Sequence, residues 1–155
     1  MESSQGIKKF EIVQRPIALA SEGGLVKLQK DRHAIPRIGI SKILWAPTRP
    51  LLATVNENSP QVVWIWDAAR IVLLSVLVHT SRIRGISWAP FGDLLAICGG
   101  DDCLRLWSPA GCSSIVVPHD SETDFQIRKF FWNPMPSSRQ IMMIDHENSF
   151  CCCSM

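Results

Sequence analysis

The sequence predicts an all-β protein assembled from repeated antiparallel sheets, about three of four strands each, standing side by side. Three observations lead there. A Trp-x-Pro unit recurs at Trp45-Pro47, Trp88-Pro90 and Trp132-Pro134, at spacings of 43 and 44 residues. Each unit ends an alternating apolar run and is followed by a few turn residues and a second run, "LLATV", "LLAIC" or "IMMID". A polar turn then leads into a third run, "VVWIW", "CLRLW" or the weaker "FCCC". Several short strands in a unit of about 40–45 residues are the sequence signature of a β-propeller blade.

Within each unit the local chemistry fits strands. A proline cannot donate to a ladder, so Pro47, Pro90 and Pro134 end the first strand and fix the turn behind it. The "FGD" and "GGDD" stretches offer glycine for positive φ and carboxylates that cap turns. The run from Val62 to Trp66 is apolar at every position. A strand buries both faces only when a layer covers it on each side, as in a blade between two others. The segment "IVLLSVLV", Ile71 to Val78, reads as the outer strand after "VVWIWD"; its eight-residue length and β-branched content disfavour a helix over Ala68 to Val78. The expected organisation is a linker over 1–37 with partial strand content at "FEIV" and "LVKLQ", then blades over 38–80, 81–124 and 125–155.

Composition limits the function. Hydrophobic residues make up 46% of the 155-residue chain and charged residues only 19%, below the usual quarter. With 16 basic and 14 acidic side chains the net charge is +2, and no Lys/Arg cluster stands out. Neither nucleic acid nor an anionic membrane is an expected partner. The N-terminal stretch "MESSQGIKKFEIV" has none of the features of a signal peptide, and the longest uncharged, mostly apolar run, the eight residues from Ile71 to Val78, falls short of the roughly twenty that span a bilayer as a helix. The six cysteines form no CxxC pair, so they read as reduced cytosolic thiols rather than a zinc site or a disulfide framework. His33, His79, His119 and His146 are scattered, "GGDD" lacks the Lys-Ser/Thr of a phosphate loop, and "PHDSETD" reads as a solvated connector. No catalytic, cofactor-binding or metal-ligating set emerges, and the chain is expected not to be an enzyme and to need no cofactor. The ending "CCSM" fits a C-a-a-X lipidation box at Cys152 in form, but Cys153 and Ser154 are not aliphatic and the segment falls where a third strand pairs.

The tryptophans are expected in the core. Trp66 and Trp107 close third strands 41 residues apart, Trp45, Trp88 and Trp132 close first strands, and a flat ring at each place packs against the neighbouring blade. "WIWD", with Trp66-Asp67, and "DDCLRLWS", with Trp107-Ser108, resemble the ends of WD repeats, so the fold implied is a partial WD40-type propeller. That resemblance implies a histidine ahead of the first strand, an aspartate in the turn before the third, a hydroxyl on the second and the closing tryptophan. In the second repeat His79, Asp101 and Trp107 fall at these places, with Ile97 at the hydroxyl position. In the first, Thr54 and Trp66 match while Pro60 stands where the aspartate belongs; the third keeps only its Trp-x-Pro half.

The order of "IGISKILWAPTRPLLAT", "VNENSPQVVWIWD" and "LAICGGDDCLRLWSPAGC" resembles the last blades of the WRAP-type WD-repeat family of centrosomes and spindle poles, with "LRLWSPAGC" the most specific piece. The match runs over about residues 8–150. It implies a non-enzymatic scaffold in the cytoplasm and cytoskeleton that works with a coiled-coil centrosomal partner in microtubule anchoring, spindle assembly and cilium formation. The competing reading is a WD-repeat subunit that recruits substrates to a ubiquitin-ligase-type assembly. Three blades do not close a ring, which takes four to eight. Two apolar end faces are therefore expected to need further blades or another chain, and the isolated chain to be marginal without them.

Overall fold

The computed structural model describes residues 39–118, 125–135, 137–147 and 149–155. The expected linker over 1–37, His33 and the connector of His119, Asp120, Glu122 and Asp124 lie outside them.

The first sheet runs in chain order through β1 (Ile40–Trp45), β2 (Leu51–Asn56), β3 (Ser59–Asp67) and β4 (Val72–Val78). The second does the same with β5 (Gly85–Trp88), β6 (Leu95–Cys98), β7 (Cys103–Ser108) and β8 (Gly111–Val116). The third holds β9 (Lys129–Trp132), β10 (Gln140–Ile144) and β11 (Phe150–Ser154), and no described residue fills its outer position. Every neighbouring pair is antiparallel. The stack is open. The "IVLLSVLV" segment supplies β4, and the lipidation-box cysteine, Cys152, sits in β11 opposite Met142.

Alternation along each strand divides the core into two layers. Ala53, Val55, Val63 and Ile65 of the first sheet meet Ile86, Trp88, Leu95, Ile97 and Trp107 of the second. The other face of the second sheet, Ala96, Cys98, Leu104 and Leu106, meets Phe130, Ile141 and Met143 of the third. The second sheet is covered on both sides, which is why all four residues of β6 are buried although none alternates in polarity. Gly85 lets the second layer close: a Cβ there would stand 2.8 Å from Cys98 Sγ and 3.0 Å from the Phe130 ring.

The turns carry their own chemistry. Gly92 in "FGD" and Gly100 in "GGDD" adopt φ of 67° and 90°, which side chains with a Cβ resist. Asp67 Oδ1 accepts from the amides of Ala69 and Arg70, both at 3.1 Å, and so ties the β3–β4 turn. In that same turn Ile71 is held at φ 55° while 90% exposed. A β-branched side chain in the left-handed region costs about 1–2 kcal/mol, and this one gains nothing from burial. Ile71→Asn is expected to stabilise the fold by about 1 kcal/mol, raising Tm by roughly 2–4 °C in a calorimetric scan. An unchanged or lower Tm would contradict the strain.

Candidate protein-binding groove and blade joints

The three Trp-x-Pro units, far apart in sequence, converge. Trp45, Pro47, Trp88, Pro90, Trp132 and Pro134 line one groove of about 430 Å³ along the inner strands. Stacking brings them together because each unit ends the inner strand of its own sheet. The groove wall carries no ionisable side chain, so what it offers is apolar and aromatic contact rather than acid–base chemistry. Among the described residues no group of three or more His, Cys, Asp or Glu is placed to hold a metal ion, and no helix is long and apolar enough to cross a membrane.

The tryptophans fall into different environments. Trp107 and Trp88 are buried and meet edge-on, ring centroids 6.1 Å apart. Trp132 is half-buried, 5.5 Å from Phe91 in the same edge-on manner. Trp66 is half-buried and donates its indole N–H to Thr54 Oγ1 at 3.1 Å, joining the hydroxyl and indole positions of the first repeat. Trp45 departs from the expectation of a core ring: it is 60% exposed. Its face of the first sheet turns away from the second, and no described sheet stands on that side.

Two joints between sheets were not legible as such in the sequence. Trp88 Nε1 donates to the Leu44 carbonyl at 3.1 Å, and Trp132 Nε1 to the Ser87 carbonyl at 3.3 Å. In each case the acceptor is the residue just before the previous Trp-x-Pro unit. The regular spacing of the tryptophans was the available signal; the acceptors, being main-chain, leave no trace in residue types.

Around the second repeat, the buried Arg105 guanidinium forks onto Asp101, Nη1 donating to Oδ1 at 2.9 Å and Nη2 pairing with Oδ2. Nη1 also donates to the Cys103 carbonyl at 3.1 Å. Ile97, at the hydroxyl position, lies opposite Arg105 in the β6–β7 register. The aspartate expected to serve His79 is thus anchored by an arginine in the third strand. That arginine was visible as the single charged residue in "CLRLW", four places after Asp101, but a charge in an alternating strand reads as solvent-facing.

His79 is buried at the end of β4, and its pKa is lowered to about 4, first by burial and then by the Arg105 cation, with Asp101 pulling the other way. It is neutral at pH 7. An unfolded histidine titrates near 6.5, so the unfolded chain binds the extra proton first as pH falls. Stability attributable to His79 is therefore intact above about pH 6.5 and is lost as pH falls toward 4, by up to about 3 kcal/mol. Urea titrations across this window are expected to show a shallower decline for His79→Gln than for the wild type; parallel declines would contradict this origin. Burial also raises the thiol pKa of Cys98, Cys103 and Cys112, which keeps them as protonated, packed groups.

Four-stranded antiparallel sheets stacked through closing tryptophans, with a Thr54–Trp66 bond inside one of them, define a WD-repeat propeller segment. The chain is a WD-repeat protein. No family model matches it, but it is 38% identical to the WD repeat-containing protein WRAP73 of Mus musculus over 145 residues, 94% of this chain and 29% of that protein. The SEC13 homolog of Drosophila melanogaster is 31% identical over 74 residues, 44% of this chain and 21% of that protein. Among solved structures, Sqt1 of Chaetomium thermophilum bound to the N-terminus of ribosomal protein L10 superposes with a TM-score of 0.59 at 15% identity, covering 75% of this chain and 32% of that one. The C-terminal WD40 domain of Sif2 gives 0.57 at 13% identity, covering 75% and 34%. The chain thus spans less than a third of the length of these two curated relatives.

Proposed function

We propose that this chain is a non-enzymatic protein-binding scaffold in a centrosomal or spindle-pole complex, where it works with a coiled-coil partner in microtubule anchoring, spindle assembly and cilium formation. The observation that carries the reading is likeness to the WRAP73 protein along 94% of the chain, joined to the family resemblance of "LRLWSPAGC". The groove lined by the Trp-x-Pro units supports the binding half of the reading. It is shallow, aromatic and lined by no ionisable side chain, features suited to apolar side chains of a protein segment. Ser87 in its wall donates its hydroxyl to the Trp88 carbonyl, and no ionisable side chain stands beside it there. The scaffold is assigned to the cytoplasm and the cytoskeleton at the pole.

Proximity labelling from the tagged chain in dividing cells tests the assignment. Enrichment of pole-associated coiled-coil proteins is the expected result. Labelling that enriches ubiquitin-ligase subunits and no pole component would replace this assignment with the substrate-recruiting one.

A further inference from the structure

Both joins between the described sheets are built on one plan. The second sheet presents the cross-strand row Trp88–Leu95–Trp107 to the row Leu44–Ala53–Ile65 of the first, and Trp88 donates to the Leu44 carbonyl. The third sheet presents Trp132–Ile141–Cys153 to Ser87–Ala96–Leu106, and Trp132 donates to the Ser87 carbonyl. A donor row headed by tryptophan meets an acceptor row headed by the residue before the previous tryptophan.

By the same register, two rows are left over. The first sheet carries a further donor row, Trp45–Leu52–Trp66, with Trp45 60% exposed and no described residue accepting from its indole. The third carries a further acceptor row, Phe131–Met142–Cys152, with Phe131 50% and Met142 37% exposed and Cys152 also exposed. Neither row contains a charge, so mating them desolvates no ion. Large apolar rows facing water are the mark of an unfilled interface.

We propose that two copies of this chain join head to tail, the Trp45 row of each seated on the Phe131 row of the other, with the Trp45 indole donating to the Phe131 carbonyl. A two-fold axis makes the two joins equivalent, so assembly stops at the pair instead of growing into a filament. The described sheets of the pair number six, within the four to eight blades of closed propellers. This inference rests on blade geometry and stands apart from the spindle-pole assignment.

Light scattering on the full chain, coupled to size-exclusion chromatography, provides the test. The expected mass is twice 17.4 kDa, constant as concentration rises. Trp45→Arg and Met142→Glu are each expected to run as monomers. Mixing the two variants restores a dimer, because the Trp45 row of the second meets the Phe131 row of the first intact and the other join sets the new Arg against the new Glu. Such rescue separates a blocked face from a misfolded chain. A wild-type monomer, whether or not its own residues shield Trp45, would overturn the proposal. So would species that lengthen with concentration, or variants that stay monomeric when mixed.

Discussion

Trp88→Ala is expected to cost about 3–5 kcal/mol of folding stability, in the range seen when a large aromatic is removed from a packed core. The ring is 7% exposed, closes the layer between the first two sheets and meets Trp107 edge-on. Its loss opens a cavity and also orphans the Leu44 carbonyl that its N–H serves. Domains of this size hold only about 5–15 kcal/mol in total, so a large part of the margin disappears. Trp88→Phe keeps most of the ring and removes the N–H, and is expected to cost about 1–2 kcal/mol. Urea unfolding followed by circular dichroism measures both. A loss below about 1 kcal/mol for the alanine variant would mean the sheets are not joined through this ring.

Removing the carboxylate of Asp101 is expected to be nearly as damaging. Arg105 is 6% exposed and stays charged, its pKa raised chiefly by the hydrogen bond to Asp101. Asp101→Ala removes the carboxylate that the buried cation forks onto, and breaking a buried pair costs about 3–5 kcal/mol when both partners are inside. Because the Asp101 side chain keeps 30% of its exposure, the lower end of that range applies. Asp101→Ala combined with Arg105→Met is expected to recover most of the loss, since the buried charge is gone and an apolar side chain of similar length fills its place. A double variant no more stable than Asp101→Ala would show that the fork is not what places Arg105.

Much of this architecture was legible in residue order. The Trp-x-Pro spacing, the apolar runs and the glycine turns carry local information, and local information decides where strands begin and end. The run after Asp67 could be read as β4 because its β-branched residues and length disfavour a helix. What escaped depends on neighbours in space. Trp45 and Trp88 stand in the same motif, yet one is 60% exposed and the other 7%; the difference is whether a described sheet stands beside them, which no residue type encodes. Arg105 escaped for the opposite reason: it breaks the apolar pattern of β7, and only the placement of Asp101 in the preceding turn makes its burial affordable. The Thr54–Trp66 contact was readable as a pair of family positions, while the main-chain acceptors Leu44 and Ser87 were invisible.

Consecutive blades are fastened by a first-strand tryptophan bonded to the main chain of the blade before it. Hydrogen exchange at the indole N–H groups, resolved by NMR and assigned through single Trp→Phe variants, tests this most directly. Trp88 and Trp132 are expected to exchange slowly, in step with the most protected amides of β6. Indole protons that exchange at the rate of free indole while the β6 amides remain protected would show intact sheets without that fastening.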